Sequence, residues 1–180
     1  MKLMFISDIH GSYTNLEKVM KSYDQEKPDR LIILGDILYH GPRNPLPEGY
    51  EPKKVVELLN SHKEKIIAVR GNCDAEVDQM LLEFNIMETY TTLFIDGRTF
   101  FLTHGHHYDK DHLPYLNKGD VLIYGHYHVP ILEKQDDHYI VNPSSISLPK
   151  QGEKSFVIYE DQTFTLYTLD RKIVKTLKLT

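Results

Sequence analysis

Residues 2–11 read KLMFISDIHG. An apolar run from Leu3 to Ile6 passes through Ser7 into Asp8 and His10, two residues apart, and closes on Gly11. The run is too short for a membrane span or the apolar part of a secretory leader, and it reads as a buried strand that ends in polar residues. The figure recurs along the chain. RLIIL (30–34) runs into Gly35 and Asp36, KIIAV (65–69) into Arg70-Gly71-Asn72-Cys73-Asp74, TFFL (99–102) into Thr103-His104-Gly105-His106, and VLIY (121–124) into Gly125-His126-Tyr127-His128. Short runs bounded by glycine favour strands over helices.

Helical spacing fills the gaps in the first half. Leu16, Val19, Met20 and Tyr23 fall on one helix face, with Thr14 and Glu17 spaced as a capping box. Val55, Leu58, Leu59 and His62 repeat the pattern behind Pro52, a residue suited to a first helical turn. Val77, Met80, Leu81 and Phe84 repeat it again, with Asp74 placed to cap the helix. Alternating strands and helices predict an α/β sheet with parallel strands. The second half holds HYIVN (138–142), SFVIYE (155–160), TFTLYTL (163–169) and KTLKL (175–179) with little helical sequence between them, which predicts an antiparallel second sheet. The expected architecture is one domain over residues 1–180, two sheets face to face with helices outside. Residues 37–50 carry Pro42, Pro45 and Pro47 with Gly41 and Gly49. They form an irregular loop directly after Asp36, placed to wall its site.

Composition narrows the function. Both charge signs are interspersed at a net charge of -5, with no basic stripe to track nucleic acid or bind an anionic membrane. The single cysteine excludes an intrachain disulfide and points to a cytoplasmic protein.

The chemistry lies in position. In α/β sheets, sites form beyond the carboxyl ends of the strands, so clusters at five strand ends converge. Asp8 and His10, His104 and His106, and His126 and His128 share the two-residue spacing that puts side chains on one side of an extended chain. Any one of these has an ordinary reading, as turn residue, cap or surface polarity, but five repeats of it do not. Asn142 in VNPSS is read as a turn former. Mixed Asp, His and Asn donors with no thiolate set suit Mn2+, Zn2+ or Fe2+.

The ordered series D-x-H, G-D, G-N-C-D, H-G-H and G-H-Y-H resembles the calcineurin-like metallophosphoesterase superfamily. DIHGS, LGDILYHGPRNPLPEGY, VRGNCD, EVDQMLL, LTHGH and GHYHVP are similar to its bacterial YfcE group of manganese-dependent phosphodiesterases. The resemblance covers most of the chain and weakens toward the C-terminus. It implies a four-layer α/β/β/α sandwich. It also implies two divalent ions, Mn2+ on this ground, with Zn2+ or Fe2+ compatible. Asp8, His10 and His128 would hold the first, Asn72, His104 and His126 the second, and Asp36 would bridge them.

Such a pair would hydrolyse phosphodiesters by attack of metal-bound hydroxide, with Asp36, Asn72, His104 and Cys73 around the reacting phosphate. At the position of Cys73 the wider superfamily commonly carries histidine, which can stabilise a leaving group. A thiol carries no positive charge when protonated, so the departure implies reactivity limited to diesters or good leaving groups. Arg70 is placed either to bind phosphate or to form a surface ion pair, and His106 either lines the pocket or is structural. The expected substrate is a small phosphodiester, and the expected assembly a homodimer or higher homo-oligomer. The alternatives are a phosphomonoesterase or nucleotide phosphatase with the same site, a nuclease, and a non-catalytic scaffold of the same fold, against which the complete ligand set speaks.

Overall fold

The computed structural model describes residues 1–180. Its strands are β1 (Leu3–Ile6), β2 (Arg30–Ile33), β3 (Ile66–Ala68), β4 (Tyr90–Ile95), β5 (Arg98–Thr103), β6 (Val121–Ile123), β7 (Pro130–Gln135), β8 (His138–Pro143), β9 (Ser155–Glu160), β10 (Thr163–Thr168) and β11 (Ile173–Lys178). The helices are α1 (Tyr13–Glu26), α2 (Pro52–Asn60) and α3 (Glu76–Gln79). Two mixed sheets result, with strand orders β11-β10-β9-β1-β2-β3 and β4-β5-β6-β8-β7.

Side-chain alternation assigns the layers. In β1, Leu3 and Phe5 enter the core shared by the two sheets, while Met4 and Ile6 pack on the other face with Leu16 and Val19 of α1 and Val55 and Leu59 of α2. In the second sheet, Phe100, Val121, Ile123, Tyr139 and Val141 face the shared core. Their neighbours Phe101, Leu122 and Ile140 face outward, under Tyr108 and Leu116. The central strands of both sheets are thus buried on two faces, while the edge strands β4 and β11 are largely exposed, and period-two sequence encodes which residue goes where. The sandwich is as expected. The layer over the outer face of the second sheet is the irregular segment 105–119.

Several local expectations change. The last three strands do not build a separate antiparallel sheet. β9 pairs antiparallel with β1 and carries β10 and β11 onto the first sheet. The second sheet has a parallel centre, β5-β6-β8, flanked by antiparallel β4 and β7. Strands β4 and β5 form a hairpin through Asp96 (φ 51°) and Gly97 (φ 78°), the backbone that an Asp-Gly turn favours. Thr14 does not cap α1: the helix starts at Tyr13 behind Ser12, whose hydroxyl donates to Glu48 O (2.6 Å) in the proline-rich loop. α2 begins at Pro52 as its sequence predicts.

The third helix departs most. It is one turn long, with Ala75 as its cap, and Val77 (60 % exposed), Met80 (84 %) and Leu81 (51 %) lie outside the core. Leu82 and Ile86 anchor this segment instead. No helix is long and apolar enough to cross a membrane.

Phe100 and Phe94 separate core packing from strand propensity, since one is fully buried and the other 79 % exposed in the same hairpin. Phe100→Ala is expected to cost about 3–5 kcal/mol in urea unfolding. Phe94→Ala should stay within roughly 0.5 kcal/mol of the parent protein.

Candidate metal centre

The parallel strands β1, β2 and β3 of one sheet and β5 and β6 of the other end on the same side of the sandwich. Their following turns bring together all seven residues singled out as metal ligands. His128 Nε2 lies 3.0 Å from Asp8 Oδ1 and 3.4 Å from His10 Nε2, and His10 Nε2 lies 3.6 Å from Asp8 Oδ1. In a second group, His104 Nε2 lies 3.1 Å from Asn72 Oδ1 and 3.2 Å from His126 Nδ1. Asp36 stands between the groups, with Oδ2 at 3.7 Å from His10 Nε2 and 3.4 Å from His104 Nε2.

The two-residue spacing does not act through an extended chain. Asp8, His10, Asp36, His126 and His128 all have left-handed backbone, with φ of 55°, 49°, 55°, 64° and 57°. Side chains disfavour that region by about 1 kcal/mol or more each. His104 joins the cluster but His106 does not. Its ring stands 5.4 Å from that of His104, and its buried Nδ1 has no hydrogen-bond partner. Burial and the charges of His104, His107 and His126 bring the His106 pKa down to about 4.

Five of the seven inward atoms are aimed by a bond on the far side. Asp8 Oδ2 accepts from Ser7 Oγ (2.6 Å) and from the His126 N–H (3.0 Å), leaving Oδ1 to face the cluster. Asp36 Oδ1 accepts from the Cys73 N–H (2.8 Å), leaving Oδ2 inward. Nδ1 of His10 donates to Tyr39 O (2.8 Å), of His104 to Leu34 O (2.6 Å) and of His128 to Leu148 O (2.6 Å). A carbonyl accepts only, so these bonds place the ring proton on Nδ1 and turn the Nε2 lone pair inward. Close packing completes the arrangement. A Cβ on Gly71 would stand 2.1 Å from Asp36 Oδ1, and one on Gly125 1.9 Å from Ser7 Oγ.

This donor set fits divalent cations. Lone pairs of imidazole, carboxylate and amide face one another at 3.0–3.7 Å, an arrangement that only positive charge between them relieves. In the metal-free protein, protons supply that charge. Burial opposes protonation of His104, but Asp36 and Asp8 bring its pKa up to about 9. Burial likewise works to raise Asp8, yet contacts with His10 and His128 hold it well below the usual carboxylate range.

Several supporting residues escaped the sequence reading. Asp74 is not a helix cap. Its buried carboxylate accepts from the N–H groups of Asp36 (2.8 Å), Ile37 (2.8 Å) and Gly71 (2.7 Å), tying the turn after β2 to the turn after β3. Ser145 and Ser147, in the turn after β8, both donate to Asp8 O (2.7 and 2.8 Å). Tyr127 Oη donates to Asp109 Oδ2 (2.6 Å) and anchors the His126–His128 turn to the outer segment. Asn142 holds its own turn, accepting from the Ser144 N–H (2.8 Å), and also donates to Gly125 O (2.8 Å). The only sequence signal for the serines is their position after a strand end, which common turn chemistry shares.

The cluster opens into a polar cleft of about 840 Å³. The proline-rich loop forms one wall through Tyr39, Gly41, Arg43 and Asn44, and Arg70 and Lys150 add positive charge. Arg70 Nε donates to Asp74 O (3.3 Å), and its guanidinium, 3.9 Å from the Glu76 carboxylate, borders the cleft. Cys73 also lines it, and burial, then the nearby Asp36 carboxylate, push its thiol up to about 12.

The calcineurin-like phosphoesterase superfamily domain matches residues 1–163. The chain belongs to that superfamily. It is 48% identical over 176 residues to phosphodiesterase YfcE of Escherichia coli K12, covering 97% of this chain and 96% of that protein. It is 31% identical over 151 residues to phosphodiesterase MJ0936 of Methanocaldococcus jannaschii, covering 79% and 82%. The solved structure of YfcE, described as a phosphoesterase from E. coli, superposes with a TM-score of 0.98 at 47% identity over the whole of both chains.

Two measurements test this construction. Asp74→Ala strips three main-chain N–H groups of their acceptor and is expected to cost about 3 kcal/mol or more in urea unfolding of the chelator-treated protein; a loss under about 1 kcal/mol would show that the tie is not structural. In the same metal-stripped protein at pH 8, Cys73 should react with iodoacetamide at least tenfold more slowly than in urea-unfolded chain, because the thiolate is scarce.

Proposed function

We propose that this protein is a metal-dependent phosphodiesterase that works with two divalent ions, Mn2+ foremost, in the cytoplasm. The observation that carries the reading is the double cluster, with Asp8, His10 and His128 on one side, Asn72, His104 and His126 on the other, and Asp36 Oδ2 between them. The 48% identity to a phosphodiesterase over nearly the full length of both chains supports the reaction class. Bound there, the two ions would acidify a water to the attacking hydroxide and neutralise charge on the phosphate.

The chain's own residues do the rest. Asn72 adds a donor without adding negative charge, which keeps the site electrophilic toward an anionic ester. Arg43, Arg70 and Lys150 draw the phosphate in and hold it from the cleft side. Cys73, as a thiol, supplies no positive charge to compensate the second negative charge of a monoester. That favours diester monoanions over monoester dianions. A small substrate fits a cleft of this size on a chain without a basic stripe.

The test compares bis(4-nitrophenyl) phosphate with 4-nitrophenyl phosphate. With Mn2+ the diester should turn over at least tenfold faster, chelation should abolish turnover, and Asp36→Asn should lower kcat by roughly a thousandfold or more, as expected when a group shared by the whole centre is lost. Faster turnover of the monoester would favour the phosphomonoesterase reading. Full activity in Asp36→Asn would sink the two-ion centre, and no metal binding at all would leave a scaffold.

A further inference from the structure

Beside the polar cleft lies a second cavity that the ligand cluster does not explain. It is an open groove of about 720 Å³ beside α2 and α3, walled by Leu38, Tyr39, Tyr50, Val56, Val77 and Leu81. Lys53, Glu57 and Asp78 supply its charged groups, and the carboxylate of Asp78 is already engaged by the Ala75 N–H (2.8 Å). Tyr39, Cys73 and Ala75 line this groove and the polar cleft alike. Cys73 sets the distance between them, because its Sγ lies within 4.8 Å of a ring nitrogen of His10 and a carboxylate oxygen of Asp36. The groove therefore adjoins the ligand cluster at Cys73.

The walls carry a second observation. Val77 and Leu81 have the spacing of a buried helix face, yet they are 60 % and 51 % exposed and nothing in the chain covers them. Apolar area concentrated in a concavity next to convergent polar groups is the usual form of a small-molecule site. A phosphodiester has two substituents, and this centre has two lobes, one charged and one apolar. A monoester would leave one lobe unused.

We infer that the groove receives one ester group of the substrate and that this group is an apolar alcohol, an alkyl chain or aryl ring, while the charged remainder lies with Arg43, Arg70 and Lys150. The inference rests on the phosphodiesterase reading and names the substrate class for it. Leu81 and Val77 are specificity-determining residues in this account, and neither belongs to the metal centre.

The experiment measures inhibition of bis(4-nitrophenyl) phosphate hydrolysis by dimethyl, butyl methyl and octyl methyl phosphate. The inhibition constant should fall at least tenfold from dimethyl to octyl methyl phosphate. The double variant Val77→Arg with Leu81→Arg should erase that gain and leave dimethyl phosphate within twofold of the parent value. In methyl NMR spectra, octyl methyl phosphate should shift Leu38 and Val56 in the parent protein and not in the variant. Inhibition independent of chain length, or a gain that survives the double variant, overturns the inference. So does a change of oligomeric state in the variant, which would make the groove an interface between copies. If bis(4-nitrophenyl) phosphate is not hydrolysed, the phosphodiesterase reading fails on its own, and the NMR titration alone decides the groove.

Discussion

Negative and lone-pair-bearing atoms crowd one point of this molecule, and the structure around that point is arranged to hold them there. Two carboxylates, an amide oxygen and four imidazole nitrogens face inward with no side-chain cation among them. Left alone they would separate or take up protons. Every one of the three Nδ1–H to carbonyl bonds works against the first of these by fixing a ring from behind. The carbonyls belong to the turn after β2, the proline-rich loop and the turn after β8, so the fold itself serves as the outer shell of the site.

The backbone shows what this arrangement requires. Five of the seven residues adopt a left-handed conformation that their side chains disfavour. Such a conformation persists only where surrounding bonds over-determine it. Ser145 and Ser147 fix the carbonyl of Asp8, Asp74 fixes the amide of Asp36, and Tyr127 ties the last turn to Asp109. The absence of a Cβ at Gly71 and Gly125 then lets neighbouring turns approach far closer than other residues permit. Core strands with complete burial on both faces absorb these local costs, because their packing is independent of the turns.

Much of this was legible in the sequence. Apolar runs ending in polar clusters marked β1, β2, β3, β5 and β6, and those clusters held all seven inward residues, which the resemblance to the metallophosphoesterases separated from His106, Cys73 and Asp74 beside them. What the sequence hid was long-range or degenerate. No local pattern says that SFVIYE pairs with KLMFI rather than with HYIVN, since both partners offer the same alternation. An aspartate before a helical repeat reads as a cap, and Asp74 spends its carboxylate on a different strand's turn instead. Val77, Met80 and Leu81 show the limit of periodicity, which reports an apolar face but not whether anything packs on it. Strands β4 and β7 lacked the polar cluster that made the others conspicuous.

Cys73 gathers these levels into one position. Its amide holds Asp36 in place, its side chain lines both lobes of the cleft, and its neighbours are an inward-facing amide and a structural carboxylate. A histidine there would bring a second ring and a positive charge to the same point. The thiol brings neither, and the half-buried pocket beside Asp36 keeps it protonated. Arg43, Arg70 and Lys150 line the polar cleft on one side of Cys73. On the other side lies the mostly apolar groove, with Lys53, Glu57 and Asp78 as its charged groups. The lone cysteine stands where the polar cleft and the mostly apolar groove meet.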